Sequence, residues 1–327
     1  GVDLNIRARM ILDAPVVSMT GAGGARLSSA YVALGSRDSS NQDTQSAVLG
    51  DGRLKIEGDF IDLIGRSSIT GVSSVSLLSH GDMRARGVTN VATGDYLGEL
   101  DSAASLTLQA QQIYPSTLSD FTIKVLDPQG RIDITQAGGT PGDVLSAAGK
   151  LTLSAATVNN AGTLRAPAGQ VLIQAGTINV ADGGVISTSL QGQTIPFGTT
   201  QGGKSWTYQT DVLTQVYGVD GRSVPAQSIT LRGDSVQLAP GSIIDVSGGG
   251  DLLAYEFLPG PGGSKDVLSN AVRPNQFAIV PSLSLAYAPF DPRESAGSVL
   301  QAGDNIHLAG GLGLPEGDYV LLPARYA

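Results

Sequence analysis

The sequence predicts an all-β chain wound as a parallel β-helix, and three observations predict it. Aliphatic pairs at positions i and i+2 recur along the chain. A second aliphatic follows each pair at a nearly constant step, and a third follows later. Small residues separate the pieces. Composition removes the competitors. Glycine accounts for 44 of 327 residues, roughly twice the usual share. It does not fall at every third position, so collagen is excluded. Charged residues are 15% and hydrophobic ones 41%, too little charge and too much aliphatic for disorder by repulsion. A coiled coil needs many more Glu, Lys, Leu and Arg in helical periods. With no cysteine, a disulfide framework is excluded.

The pairs read Leu54–Ile56, Val75–Leu77, Leu106–Leu108, Ile132–Ile134, Leu151–Leu153, Val171–Ile173, Ile229–Leu231 and Ile306–Leu308. Their commonest separation is about 20 residues. Seven residues on from Leu54, Leu106, Leu151, Val171 and Ile229 stand Ile61, Ile113, Val158, Ile178 and Val236. The third aliphatics are Leu118, Leu164, Val185 and Ile243. Each unit is thus three short alternating strands joined by small-residue corners. Alternation turns one face inward, and Gly, Asn and Asp tolerate the backbone of tight corners. A four-residue strand cannot bury its apolar face alone, but stacking on a neighbour buries it. A β-sandwich explains the short step but not the longer repeat.

Two stretches leave the pattern, 190–224 and 248–301. The first holds the single Trp, and the second clusters Pro, Tyr and Phe. Insertions of this kind often form the binding face of a repeat protein. The best candidate partner-binding residues are therefore Trp206, Tyr208, Tyr217, Tyr255, Phe257, Tyr287 and Phe290, because exposed rings bind partners or sugars by stacking.

The segments 228–250 (SITLRGDSVQLAPGSIIDVSGGG), 150–180 and 317–327 (GDYVLLPARYA), with 262–269 and 277–283, resemble the filamentous-haemagglutinin-type large exoproteins of two-partner secretion systems. The resemblance implies a right-handed β-helix, exported through an outer-membrane partner pore and displayed or released as a fibre. It implies adhesion, a secreted or cell-surface location, and a host receptor or glycan as partner. The secretion domain that engages the pore is not recognisable here, so pore binding falls to a region outside this segment. The opening GVDLNIRARM lacks an initiator Met and a signal-like apolar core, which reads as a piece of a longer chain.

Other motifs carry less. Gly198 to Ser205 matches the phosphate-loop spacing, but a Pro-containing segment precedes it and a Thr/Tyr/Val-rich, strand-favouring segment follows, where a nucleotide site needs a strand and then a helix. Arg232-Gly233-Asp234 is a tripeptide read by cell-surface receptors. Aligning Ile229 with Leu54 places it level with Glu57-Gly58-Asp59, as a corner. The two histidines, His80 and His307, lack a second ligand at metal spacing. Gly248–Asp251 approaches a calcium nonapeptide only once. Carboxylates at Asp251 and Glu256, or Asp291 and Glu294 beside Arg293, are the candidates for glycan chemistry. No cofactor or metal is expected, and no enzyme activity. The net charge of −9 and the lack of a basic cluster argue against nucleic acid. No apolar run approaches the ~18 residues of a membrane span. The function expected is a structural and adhesive segment of a bacterial exoprotein. The alternatives are a polysaccharide-processing enzyme and a passive stalk presenting a distant tip.

Overall fold

A computed structural model describes residues 1–38, 47–203, 205–209, 214–218, 226–261, 265–269, 275–281, 300, 302–311 and 313–324. The described chain is all-β. None of its helices is long and apolar enough to cross a membrane. Two compact units are distinguished. The first comprises Gly1–Pro141, Ala147–Gln191 and Pro225–Gly249; the second comprises Gly142–Ser146, Gly192–Val224 and Gly250–Ala327.

The first unit is built on one sheet of nineteen strands, nearly all paired in parallel. Alternation explains the strands. In Leu106–Ala110 the Leu and Ala side chains are buried while Thr107 and Gln109 are half-exposed. Three aliphatic rows cross the strands. One runs Ala25, Leu54, Val75, Leu106, Ile132, Val158, Ile178, Val236. A second runs Met10, Val32, Ile61, Met83, Ile113, Leu164, Ile186, Ile244. The third runs Leu100, Ile123, Leu153, Ile173, Leu231. From Val32 to Ile186 every member of the second row is at most 1% exposed. Burying one such side chain stabilises the fold by about 1.5–3 kcal/mol.

The expected right-handed β-helical solenoid is corrected. The parallel sheet is a closed barrel carrying extra strands. The strands do not stop at corners as expected. Leu49–Thr70 runs for 22 residues. It pairs with Gly24–Ser36 on one side. Along its other side it pairs in turn with Val72–Ser79, Met83–Arg86 and Tyr96–Ser102. One strand that serves several neighbours in succession joins the walls into a single closed sheet. Glycine permits the bends. Gly65 has φ +55°, and a Cβ there would run into the Ser36 carbonyl.

The row assignment differs too. Ile132 faces Val158, whereas Leu151 faces Phe121 and Val171. The pairs from Leu54 to Ile132 and those from Leu151 to Ile229 therefore sit in different rows. All rows share the same alternation and much the same step, so the sequence alone cannot separate them.

The second unit carries small sheets of its own. Thr194–Gln201, Ser205–Gln209 and Thr214–Gly218 form an antiparallel meander, and Asp251–Tyr255 pairs with the first of them in parallel. Asn305–Leu308 pairs antiparallel with Gly317–Val320. Ile306–Leu308 is therefore a hairpin strand and not a further member of the repeat.

Candidate functional site

The densest chemistry in the first unit lies on the strand faces opposite the aliphatic rows. Asp62 sits between Ile61 and Leu63 in the Leu49–Thr70 strand, and Arg84 is its direct neighbour in Met83–Arg86. Asp62 and Arg84 are 0% and 1% exposed. Arg84 grips the carboxylate with two bonds, Nε to Oδ1 at 2.7 Å and Nη2 to Oδ2 at 2.9 Å. Arg86 donates Nη1 to Oδ2 at 2.9 Å, and the Tyr31 hydroxyl donates to Oδ2 at 2.6 Å. Rings frame the charges. Tyr31 stacks on Phe60 with centroids 6.3 Å apart. The Arg84 guanidinium lies 5.1 Å from the Phe60 ring centre, and that of Arg9 4.9 Å from the Tyr31 centre.

Burial is the largest single influence on Asp62 and pushes its pKa up, but the attraction of Arg84 and Arg86 outweighs it and holds the carboxyl well below its usual range. Burial, and then the Asp62 charge, push the Tyr31 hydroxyl far above its ordinary value. An ionised carboxylate with four donors on its two oxygens has little capacity left to accept a proton. Its role is to anchor neighbouring strands. A second buried acid, Asp82, behaves in the opposite sense. Burial raises its pKa despite the bond from Gln112 Nε2 at 3.0 Å and one from Tyr114. Burial, and then Asp82, push Tyr114 up in turn. Sequence reasoning missed this cluster. Its signal was an acid and a base flanked by aliphatics at corresponding places 22 residues apart.

The exposed surface is organised in ladders. Asn159 Nδ2 donates to Asp133 at 2.7 Å, and Asn179 Nδ2 donates to Asn159 at 2.8 Å. Glu57 gathers Arg26, Lys55 and His80 within 3.0 to 3.3 Å.

The structure places the remaining candidates as follows. Arg232, Gly233 and Asp234 are exposed at the corner between Ser228–Arg232 and Ser235–Leu238. The alignment with Glu57-Gly58-Asp59 does not hold, because Leu54 shares its row with Val236 and not with Ile229. A Cβ on Gly233 would run into the Ala175 carbonyl, so glycine is required at this bend. Trp206 pairs with Tyr217 across the meander, and Tyr208 with Gln215; their side chains lie outside the described residues. Tyr255 is half-buried and Phe257 is 40% exposed. Tyr287 and Phe290 lie outside the described residues, as do Asp291, Arg293 and Glu294. The structure thus brings together Trp206 and Tyr217, with Tyr255 on the strand that flanks the same sheet.

The phosphate-loop match is a hairpin connection between antiparallel strands, with no helix after it. Gly202 and Gly203, both in the left-handed region, turn their N–H groups onto the Glu256 carboxylate. An anion-binding concavity of successive N–H groups is thus filled by the protein's own acid. Glu256 serves the hairpin and does not converge with Asp251, which is exposed. His307 bonds Asp318 at 2.9 Å on an exposed hairpin. Among the described residues no group of three His, Cys, Asp or Glu is arranged to hold a metal.

No family model, curated protein or solved structure matches this chain.

Proposed function

We propose that the chain is a structural and adhesive segment of a secreted bacterial surface exoprotein of the filamentous-haemagglutinin type. One observation carries the reading. The second aliphatic row crosses eight parallel strands in register, from Met10 to Ile244. At ~4.8 Å per strand the row spans about 34 Å. A dry, close-packed interior of this kind resists bending, as a spacer requires. The buried Asp62–Arg84 anchor adds cross-strand bonds to the same element.

In this reading the first unit holds and the second unit touches. The meander with Trp206, Tyr208 and Tyr217, flanked by Tyr255 and Phe257, is the contact surface for a host receptor or glycan. Export through an outer-membrane partner pore belongs to a region outside this segment. The experiment is binding of the purified chain to a glycan panel and to cultured cells. A variant in which short Gly/Ser links replace 190–224 and 248–301 runs beside it, with circular dichroism to check that both remain β-rich. Binding by the intact chain alone is expected. Equal binding by both forms, or by neither, refutes the adhesive reading.

A further inference from the structure

Both outermost strands of the parallel sheet leave interior rows open. Along the first row Ile178 is 0% exposed, whereas Val236 and Leu238 in Ser235–Leu238 are 42% and 53% exposed. At the opposite edge, Val2 and Leu4 in Val2–Asp13 are 62% and 44% exposed. These side chains occupy the same row positions that are dry elsewhere. Unpaired edges with apolar side chains are templates for further strand pairing.

The two edges match in register. From the first row to the second, the step is Val2 to Met10 at one edge and Val236 to Ile244 at the other, eight residues in each case. The neighbouring strand Gly24–Ser36 makes that step in seven, Ala25 to Val32, and the mismatch shifts the register between Ile6 and Arg9. The far edge therefore fits Val2–Asp13 better than its own neighbour does. Continued by one strand, the ladder sets Val2 on Val236, Asp3 on Gln237, Met10 on Ile244 and Asp13 on Ser247. Apolar meets apolar, and neither Asp3 nor Asp13 meets an acid. Strand polarity is preserved, because every pairing in these rows is parallel.

We propose that a second copy of this chain stacks head to tail on the first, the Val2–Asp13 edge of one copy pairing with the Ser235–Leu238 edge of the other. The contact is heterologous, so it leaves a free edge at each end and propagates into a filament.

The native chain has no cysteine, which makes the register directly testable. Adjacent strands lie ~4.8 Å apart, inside the ~4.4–6.8 Å range of Cα separations that a disulfide spans. Asp3→Cys and Gln237→Cys are mixed under mild oxidation. The crosslinked heterodimer is expected to exceed that of an Asp3→Cys and Asp51→Cys mixture about tenfold or more, as held proximity raises effective concentration. Sedimentation of the wild-type chain is expected to show mass rising with concentration, and Leu238→Lys to remain a monomer. Leu238 is half-exposed, so this change does not disturb the interior. A wild-type monomer at all concentrations overturns the proposal. Equal crosslinking in the two mixtures, or preferential pairing of Asp3→Cys with itself, overturns the head-to-tail register.

Discussion

Replacing Asp62 by Ala removes the acceptor of four bonds and leaves Arg84 and Arg86 buried at 1% and 4% exposure without their carboxylate. Breaking a buried pair from one side costs about 3–5 kcal/mol, because the surviving charge stays desolvated. Asp62→Ala is therefore expected to lower the stability of the first unit by that amount. Guanidinium denaturation followed by circular dichroism measures it as a shift of midpoint at unchanged slope. Replacing the pair together, Asp62→Leu with Arg84→Met, is expected to recover much of the loss, since no uncompensated charge of that pair then remains. The pH dependence gives an independent check. The folded-state pKa of Asp62 is depressed, so its stabilisation is fully present above the unfolded value of about 3.9 and fades as the pH falls below it. The deficit of Asp62→Ala should accordingly shrink in acid. A loss under about 1 kcal/mol at neutral pH, the range of an exposed ion pair, would refute the anchoring role.

Other outcomes follow from the same geometry. Leu77→Ala, at a fully buried position, is expected to cost about 2–5 kcal/mol in the same denaturation assay. Gly35→Ala is expected to destabilise strongly, because Gly35 has φ +139° and a Cβ would run into the Ile64 carbonyl; thermal melting reads the loss. Protonation of Asp82 is expected to favour the folded state, since burial raises its folded pKa. Stability should gain from this group as the pH falls through that raised value, opposite in sign to Asp62. Asp82→Asn, compared with wild type across pH, isolates that contribution.

Alternation was legible in the sequence. Leu106-Thr-Leu108 and Leu151-Thr-Leu153 become strands whose leucines face the interior. The partners of those strands were not legible. Leu106 and Leu151 look equivalent, yet one belongs with Ile132 and the other with Phe121 and Val171. A seven-residue step connects one row to the next in either case, so spacing does not reveal which step is being taken. The exposed Arg232-Gly233-Asp234 corner could be named in advance but not aligned, for the same reason. The aromatic candidates were chosen by composition, and only Trp206 and Tyr217 are seen to pair.

The sequence by itself determined that this protein is all-β, because a period-2 aliphatic pattern interrupted by small residues can bury one face only as strands. It also determined that the interior is aliphatic and that glycine stands at the bends. The tertiary structure decided how the strands close. Hydrogen bonding that continues round the bends of Leu49–Thr70 gives a closed parallel sheet, and no local pattern encodes whether a corner ends a strand or bends it. It also decided the state of Asp62. A carboxylate between two aliphatics has no intrinsic reason to stay charged. Arg84 and Arg86, brought alongside from the neighbouring strand, supply it.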